Sequence, residues 1–176
     1  VLPRLNLKDG IPEDLRTMVV VPTLLLTTDS VHHQLEALEV LYLANADRNL
    51  HFALLSDFAD APSPSTDDDE IVLDLAIERV RTLNQRYGED RFFLLHRRRV
   101  WNDKQGRWMG WERKRGKLEE FNRLLTGAKD TTFDVQIGHL DTFPLIRYVI
   151  TLDSDTQLPR DVASALVGTM AHPLNH

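Results

Sequence analysis

Short apolar runs alternate with helical stripes along almost the whole chain, and this alternation limits the fold more than any other feature. Residues 17–22 (TMVVVP) read as a buried strand closed by proline. Residues 29–46 carry Val31, Leu35, Leu38, Tyr42 and Ala46 at helical spacing, with Asp29 or Ser30 as N-cap. Residues 50–56 (LHFALLS) read as a second strand. Residues 67–87 read as a helix with an Asp67/Glu70 capping box, a stripe of Val72, Ala76, Val80 and Leu83, and Gly88 as its stop. A third strand follows at 91–96, and a third helix at 116–125 places Leu118, Phe121 and Leu125 on one face. Residues 133–140 hold a short extra strand and 147–152 a further main strand. Pro159 then opens a helix with Val162, Leu166 and Met170 in register.

Such alternation implies βαβ units, and so an α/β fold with a mostly parallel sheet. The chain has 176 residues, 42% hydrophobic and 27% charged, which suits one domain over 1–176 with residues 1–15 as an extended lead-in. Residues 61–70 (APSPSTDDDE) read as a surface loop running into a helix cap, not as a domain boundary. Without cysteine there is no disulfide scaffold, no thiolate metal site and no thiol nucleophile. No apolar stretch approaches the roughly 20 residues that span a bilayer, and the first residues lack the pattern of a signal peptide. A soluble chain is therefore expected.

Net charge is −6, which argues against a general nucleic-acid binder. Between residues 96 and 117, however, nine Lys and Arg stand against Asp103 and Glu112, interleaved with Trp101, Trp108 and Trp111. Two readings stay open for this segment: a seat for an anionic ligand, or a solvated loop.

In parallel sheets ligands sit beyond the carboxyl ends of the strands, so the residues after each strand are the candidates. They include Thr23 after the first strand and Asp57 and Asp60 after the second. Asp153 and Asp155 follow the apolar run YVITL directly. Residues i and i+2 of an extended segment point the same way, and two such carboxylates repel unless a cation lies between them. Mg²⁺ or Mn²⁺ suits that oxygen set and bridges to phosphate. The alternative is an Asx-turn capping the next helix. Asp57 offers an acceptor for a base N–H or a ribose hydroxyl, or serves a turn. Lys117 opens the third helix, where free N–H groups favour phosphate, or is a solvated side chain; Asn122, five residues on, reaches the same crevice or a neighbouring backbone group. No H-x-x-x-H, G-x-S-x-G, P-loop or G-x-G-x-x-G pattern occurs, so zinc, serine-hydrolase and dinucleotide chemistries lack support.

The strings MVVVPTLL, LLSDFADAP, WMGWERKRGKLEEFNRLL and YVITLDSDTQLPRDVA, in that order, closely resemble the glycosyltransferase region of cyclic β-1,2-glucan synthases. The resemblance implies a Rossmann-like GT-A nucleotide-sugar-binding sheet, truncated on its C-terminal side, and an inverting glucosyltransferase making β-1,2-glucan. It implies UDP-glucose as donor, held by Thr23, Asp57, Lys117, Asn122 and Asp153. Mg²⁺ or Mn²⁺ would sit at Asp153 and Asp155, and a growing glucan would be the acceptor in the full protein. That protein would lie at the cytoplasmic face of a bacterial inner membrane. The general base is expected beyond His176, so the chain alone is expected to bind donor without transferring glucose, and an exposed sheet edge is expected to favour self-association. A haloacid-dehalogenase-like phosphohydrolase using the LDSDT string, or a non-catalytic nucleotide-binding module, is the alternative reading.

Overall fold

The computed structural model describes residue 7, residues 9–154 and residues 162–175. In chain order its elements are β1 (Thr17–Leu25), α1 (Thr28–Ala44), β2 (Leu50–Phe58), α2 (Asp69–Tyr87), β3 (Phe92–Arg97), β4 (Val100–Asn102), β5 (Arg107–Met109), α3 (Arg113–Leu125), β6 (Phe133–Ile137), β7 (Tyr148–Thr151) and α4 (Val162–Ala171). The main sheet has the order β6-β3-β2-β1-β7. Its β1/β2, β1/β7 and β2/β3 pairs are parallel, while β3/β6 is antiparallel. The expected mostly parallel α/β sheet is therefore present, with a Rossmann-like run of four parallel strands and one antiparallel edge.

Side chains on a strand alternate between faces, and here each face has its own core. Val19, Phe52, Leu54, Phe92 and Leu94 meet the stripes of α1 and α2 and the small residues Ala163 and Val167 of α4. Met18, Val20, Ala53, Leu55, Phe93 and Leu95 meet Phe121 and Leu124 of α3, with Phe143. The sheet is thus sandwiched between helical layers, which is why β3 is buried along its full length.

Several boundaries differ from the sequence reading. β1 runs through Pro22 to Leu25 instead of stopping at proline. Thr17 N–H donates to Asn49 on the β2 side, whereas the Val20 carbonyl accepts from Leu152 on the β7 side. By alternation the ring nitrogen of Pro22 faces the β7 side, and β7 pairs only with Thr17 to Val20. Proline there removes no ladder bond. The N-cap of α1 is Thr27, not Asp29 or Ser30; Thr27 and Ser30 form the reciprocal capping box. The Asp67/Glu70 box is likewise replaced by Asp69, whose carboxylate accepts from Thr66 N and Oγ1. α1 ends before Ala46. α4 buries Ala163, Val167 and Gly168, while Leu166 is exposed. Pro159 lies outside the described residues. Among the described residues no helix is long and apolar enough to cross a membrane, and the outer edge of β7 pairs with no described strand.

Candidate active site

Strand order changes direction at β1: β2 and β3 extend to one side of it and β7 lies on the other. The crevice beyond the carboxyl ends at such a switch point is where open α/β sheets bind ligands. A cleft of about 430 Å³ occupies that place, with Thr23 near the end of β1 and Leu26 just after it, Asp57 near the end of β2 and Asp60 after it, Gly110 before α3, Arg113, Lys114 and Lys117 within α3, and Ser154 after β7 along its walls.

Its floor is a buried ionic network. Asp57 is 4% exposed. Its Oδ1 accepts from Arg97 Nε at 2.7 Å, and its Oδ2 accepts from Arg97 Nη2 at 3.0 Å. Lys117 Nζ lies 3.0 Å from the same Oδ2 and donates to the Thr23 carbonyl at 2.9 Å. Arg97 Nη1 donates to Glu120 at 2.7 Å, and Glu120 in turn accepts from Thr132. Two cations face two carboxylates, so the buried group is balanced. Burial pushes Lys117 below its ordinary range, and Arg97 and Lys114 push the same way, while Asp57 opposes them. Burial also opposes the charge on Arg97, but the hydrogen bonds and charges of Asp57 and Glu120 win and raise its pKa.

The expected site residues divide on this geometry. Thr23, Asp57 and Lys117 converge on the cleft. Lys117 sits in the second turn of α3, because the helix begins at Arg113 and not at Gly116. Asn122 is not brought to the cleft: five residues on, it is about 140° round the helix from Lys117, and it is exposed. Asp153 is exposed and accepts from Lys114 on the rim. Asp155 lies outside the described residues.

The basic segment is neither a solvated loop nor a uniform anion seat. Arg97 and Arg99 are 0% and 6% exposed. Arg99 forks onto Asp69 at 2.6 and 3.0 Å, and Arg98 points outward to Asp134. Only Arg113, Lys114 and Lys117 of its cations line the cleft.

Further cleft residues escaped the sequence reading. Gln34 reaches over from α1 and donates through Nε2 to the Leu24 carbonyl, while its buried Oε1 has no partner. Arg113 donates to Asp60 at 3.0 Å. Glu112 and Arg113 hold φ of 50° and 49°. Consecutive non-glycine residues in the left-handed region store strain, a feature that clusters at functional sites. Gly110 is pressed against the network: a Cβ there would lie 2.7 Å from Arg97 Nη2 and from the Asp57 carboxylate. Those atoms are locked by hydrogen bonds and cannot yield. Gly110→Ala should therefore lower stability by about 1–3 kcal/mol, measured by urea unfolding; a loss below a few tenths would show that the loop moves aside.

A divalent cation has limited protein ligands here. Among the described residues no group of three or more His, Cys, Asp or Glu could hold one. Mg²⁺ commonly binds through one or two carboxylates, completing its shell with water and substrate phosphates. The exposed Asp153 carboxylate fits that mode, since its surface pair with Lys114 is weak enough to yield.

No family model matches the chain. Over 171 residues, 95% of its length, it is 51% identical to cyclic beta-(1,2)-glucan synthase NdvB of Rhizobium meliloti (strain 1021). It spans 6% of that protein. The likeness read from the four motifs is thus borne out, and it ties the chain to one short segment of a cyclic β-(1,2)-glucan synthase.

Proposed function

We propose that the cleft binds UDP-glucose for an inverting glucosyltransferase that builds β-1,2-glucan. The observation that carries this reading is the cleft at the switch point, with buried Asp57 and Lys117 on its floor and Lys114 and Asp153 at its rim. The relative's identity supports it from sequence. Asp57 and the free Oε1 of Gln34 supply acceptors for uracil and ribose donors. Arg113 and Lys114 face the diphosphate, and Mg²⁺ or Mn²⁺ would be held by Asp153 and Asp155. In the longer protein the cleft would face the cytoplasm at the inner membrane.

In such a transfer the acceptor hydroxyl attacks the anomeric carbon opposite UDP, the bond from that carbon to the phosphate oxygen breaks, and a base takes the hydroxyl proton. Negative charge collects on the diphosphate, so fixed cations beside it lower the barrier. A metal held by Asp153 and Asp155 would supply charge neutralisation.

Calorimetric titration with UDP and with uridine, in Mn²⁺ or EDTA, tests the reading. UDP should bind about tenfold tighter with Mn²⁺, and Asp155→Asn should abolish that gain. Asp57→Ala should weaken uridine and UDP alike. UDP affinity unchanged by both EDTA and Asp155→Asn would remove the metal from the proposal, and no UDP binding under any condition would remove the donor.

A further inference from the structure

All three tryptophans of the chain lie between residues 101 and 111, and none is buried. The β4–β5 hairpin explains two of them poorly as core residues. Val100 pairs across with Met109, which is buried. Trp101 pairs with Trp108 on the opposite face, and Trp101 is 49% exposed. Their rings meet edge to face with centroids 5.9 Å apart. Trp101 Nε1–H donates to Asp103 Oδ1 at 2.6 Å. The Trp101 indole is thus pinned at its N–H and along one flank, yet displays apolar surface to water.

The hairpin is also anchored to the cleft. Ala61 N–H donates to the Trp108 carbonyl at 2.9 Å, and Trp108 N–H donates back at 2.8 Å. Ala61 follows Asp60, and Gly110 lies two residues past Trp108; both Asp60 and Gly110 line the cleft. The hairpin is therefore tied through its backbone to two segments of the cleft wall.

We propose that the outward face of the β4–β5 hairpin is a platform for a neutral glucan, the acceptor of the transfer, with Trp101 as the stacking surface. The proposal rests on the glucosyltransferase reading of the cleft. A glucopyranose ring with equatorial hydroxyls presents flat faces of axial C–H groups, which suit an indole, while its rim carries hydroxyls for polar neighbours. In the turn that joins the two strands, the exposed Asp103, Lys104 and Gln105 supply such neighbours. Charges of both signs on this tip fit a neutral polyol better than an anionic polymer. Rigid support by Trp108 and Asp103 limits the ordering cost of binding.

The probe is a soluble linear β-1,2-glucan oligosaccharide, titrated by calorimetry and tryptophan fluorescence in parallel with UDP. The unmodified chain should bind it with a change in tryptophan emission. Trp101→Ala should weaken glucan binding roughly tenfold or more, Trp101→Tyr should retain most of it, and UDP affinity should stay the same in both. A chain that binds UDP but no glucan overturns the platform and leaves the donor reading intact. Glucan binding with no UDP binding overturns the donor reading alone. Glucan affinity unmoved by Trp101→Ala overturns the platform, as does sedimentation showing that Trp101→Ala abolishes only an association between two copies of the chain.

Discussion

Arg97→Met should cost about 3–5 kcal/mol of folding stability. Arg97 is wholly buried and uses every N–H of its guanidinium. Two go to Asp57, one to Glu120, and one each to the carbonyls of Trp111 and Arg113 at 3.0 Å. Methionine fills similar volume but leaves two buried carboxylates with Lys117 as their single remaining cation. It also frees the two carbonyls that fix the start of α3. Arg97→Lys should rescue little, because an ammonium cannot span both carboxylates in one plane. Urea unfolding at pH 7 gives the measurement. A combined Arg97→Met, Asp57→Asn, Glu120→Gln variant should recover part of the loss, since the charges vanish together. If Arg97→Met lies within 1 kcal/mol of the unmodified chain, water must enter the network and the buried reading fails. Arg97→Met should also lose UDP binding, because the Asp57 carboxylate and the backbone at Trp111 and Arg113 are held in place by this one guanidinium.

The strands were legible because β2 and β3 are apolar on both faces, and an unbroken run such as FFLL has few alternatives once glycine and charge bracket it. The α2 stripe and its Gly88 stop, at φ of 130°, were legible for similar reasons. The β4–β5 hairpin was not, since each strand has three residues and its sequence is mostly polar or aromatic. Neither were the caps: Thr27, Asp29 and Ser30 are all good caps, and only the fold's register chooses among them.

At the site, position toward the carboxyl end of a strand found Thr23 and Asp57, which lie near the ends of β1 and β2, because a parallel sheet carries every such residue to one edge. It could not find the burial of Arg97 or Arg99. A lone arginine reads as solvated until its partner is known, and these partners lie 40 and 30 residues away in the chain. Gln34 was equally hidden, since nothing local distinguishes it from any glutamine on a helix. Asn122 shows the opposite case: five residues turn the helix about 140°, so closeness in sequence to Lys117 does not bring it to the cleft.

Lowering the pH from 7 to 5 should remove about 2 kcal/mol of stability for each of His51 and His96. Burial pushes both imidazoles down to about 4 from an ordinary value of 6.5. The hydrogen bonds of His51 agree with a neutral ring: Nδ1 meets the Asp90 carbonyl, and Nε2 faces Arg16 Nη1 at 3.2 Å. A proton on that Nε2 would point at a guanidinium. His96 shares Nδ1 with Ser56 Oγ at 2.7 Å, and its Nε2 is buried without a partner. Between pH 6.5 and 4 the unfolded chain binds protons that the folded chain refuses, so stability rises with pH across that window and is lost as pH falls through it. Asp69 adds to the loss further down. Burial opposes its charge, but the hydrogen bonds from Arg99 and Thr66 outweigh that and hold its carboxyl below the usual range. Urea midpoints at half-unit steps of pH give the slope. His96→Leu, which needs no partner for Nε2, should remove about half of the drop between pH 7 and 5. A flat profile over that interval, or an unchanged slope in the variant, would mean that the two rings take up protons in the folded state.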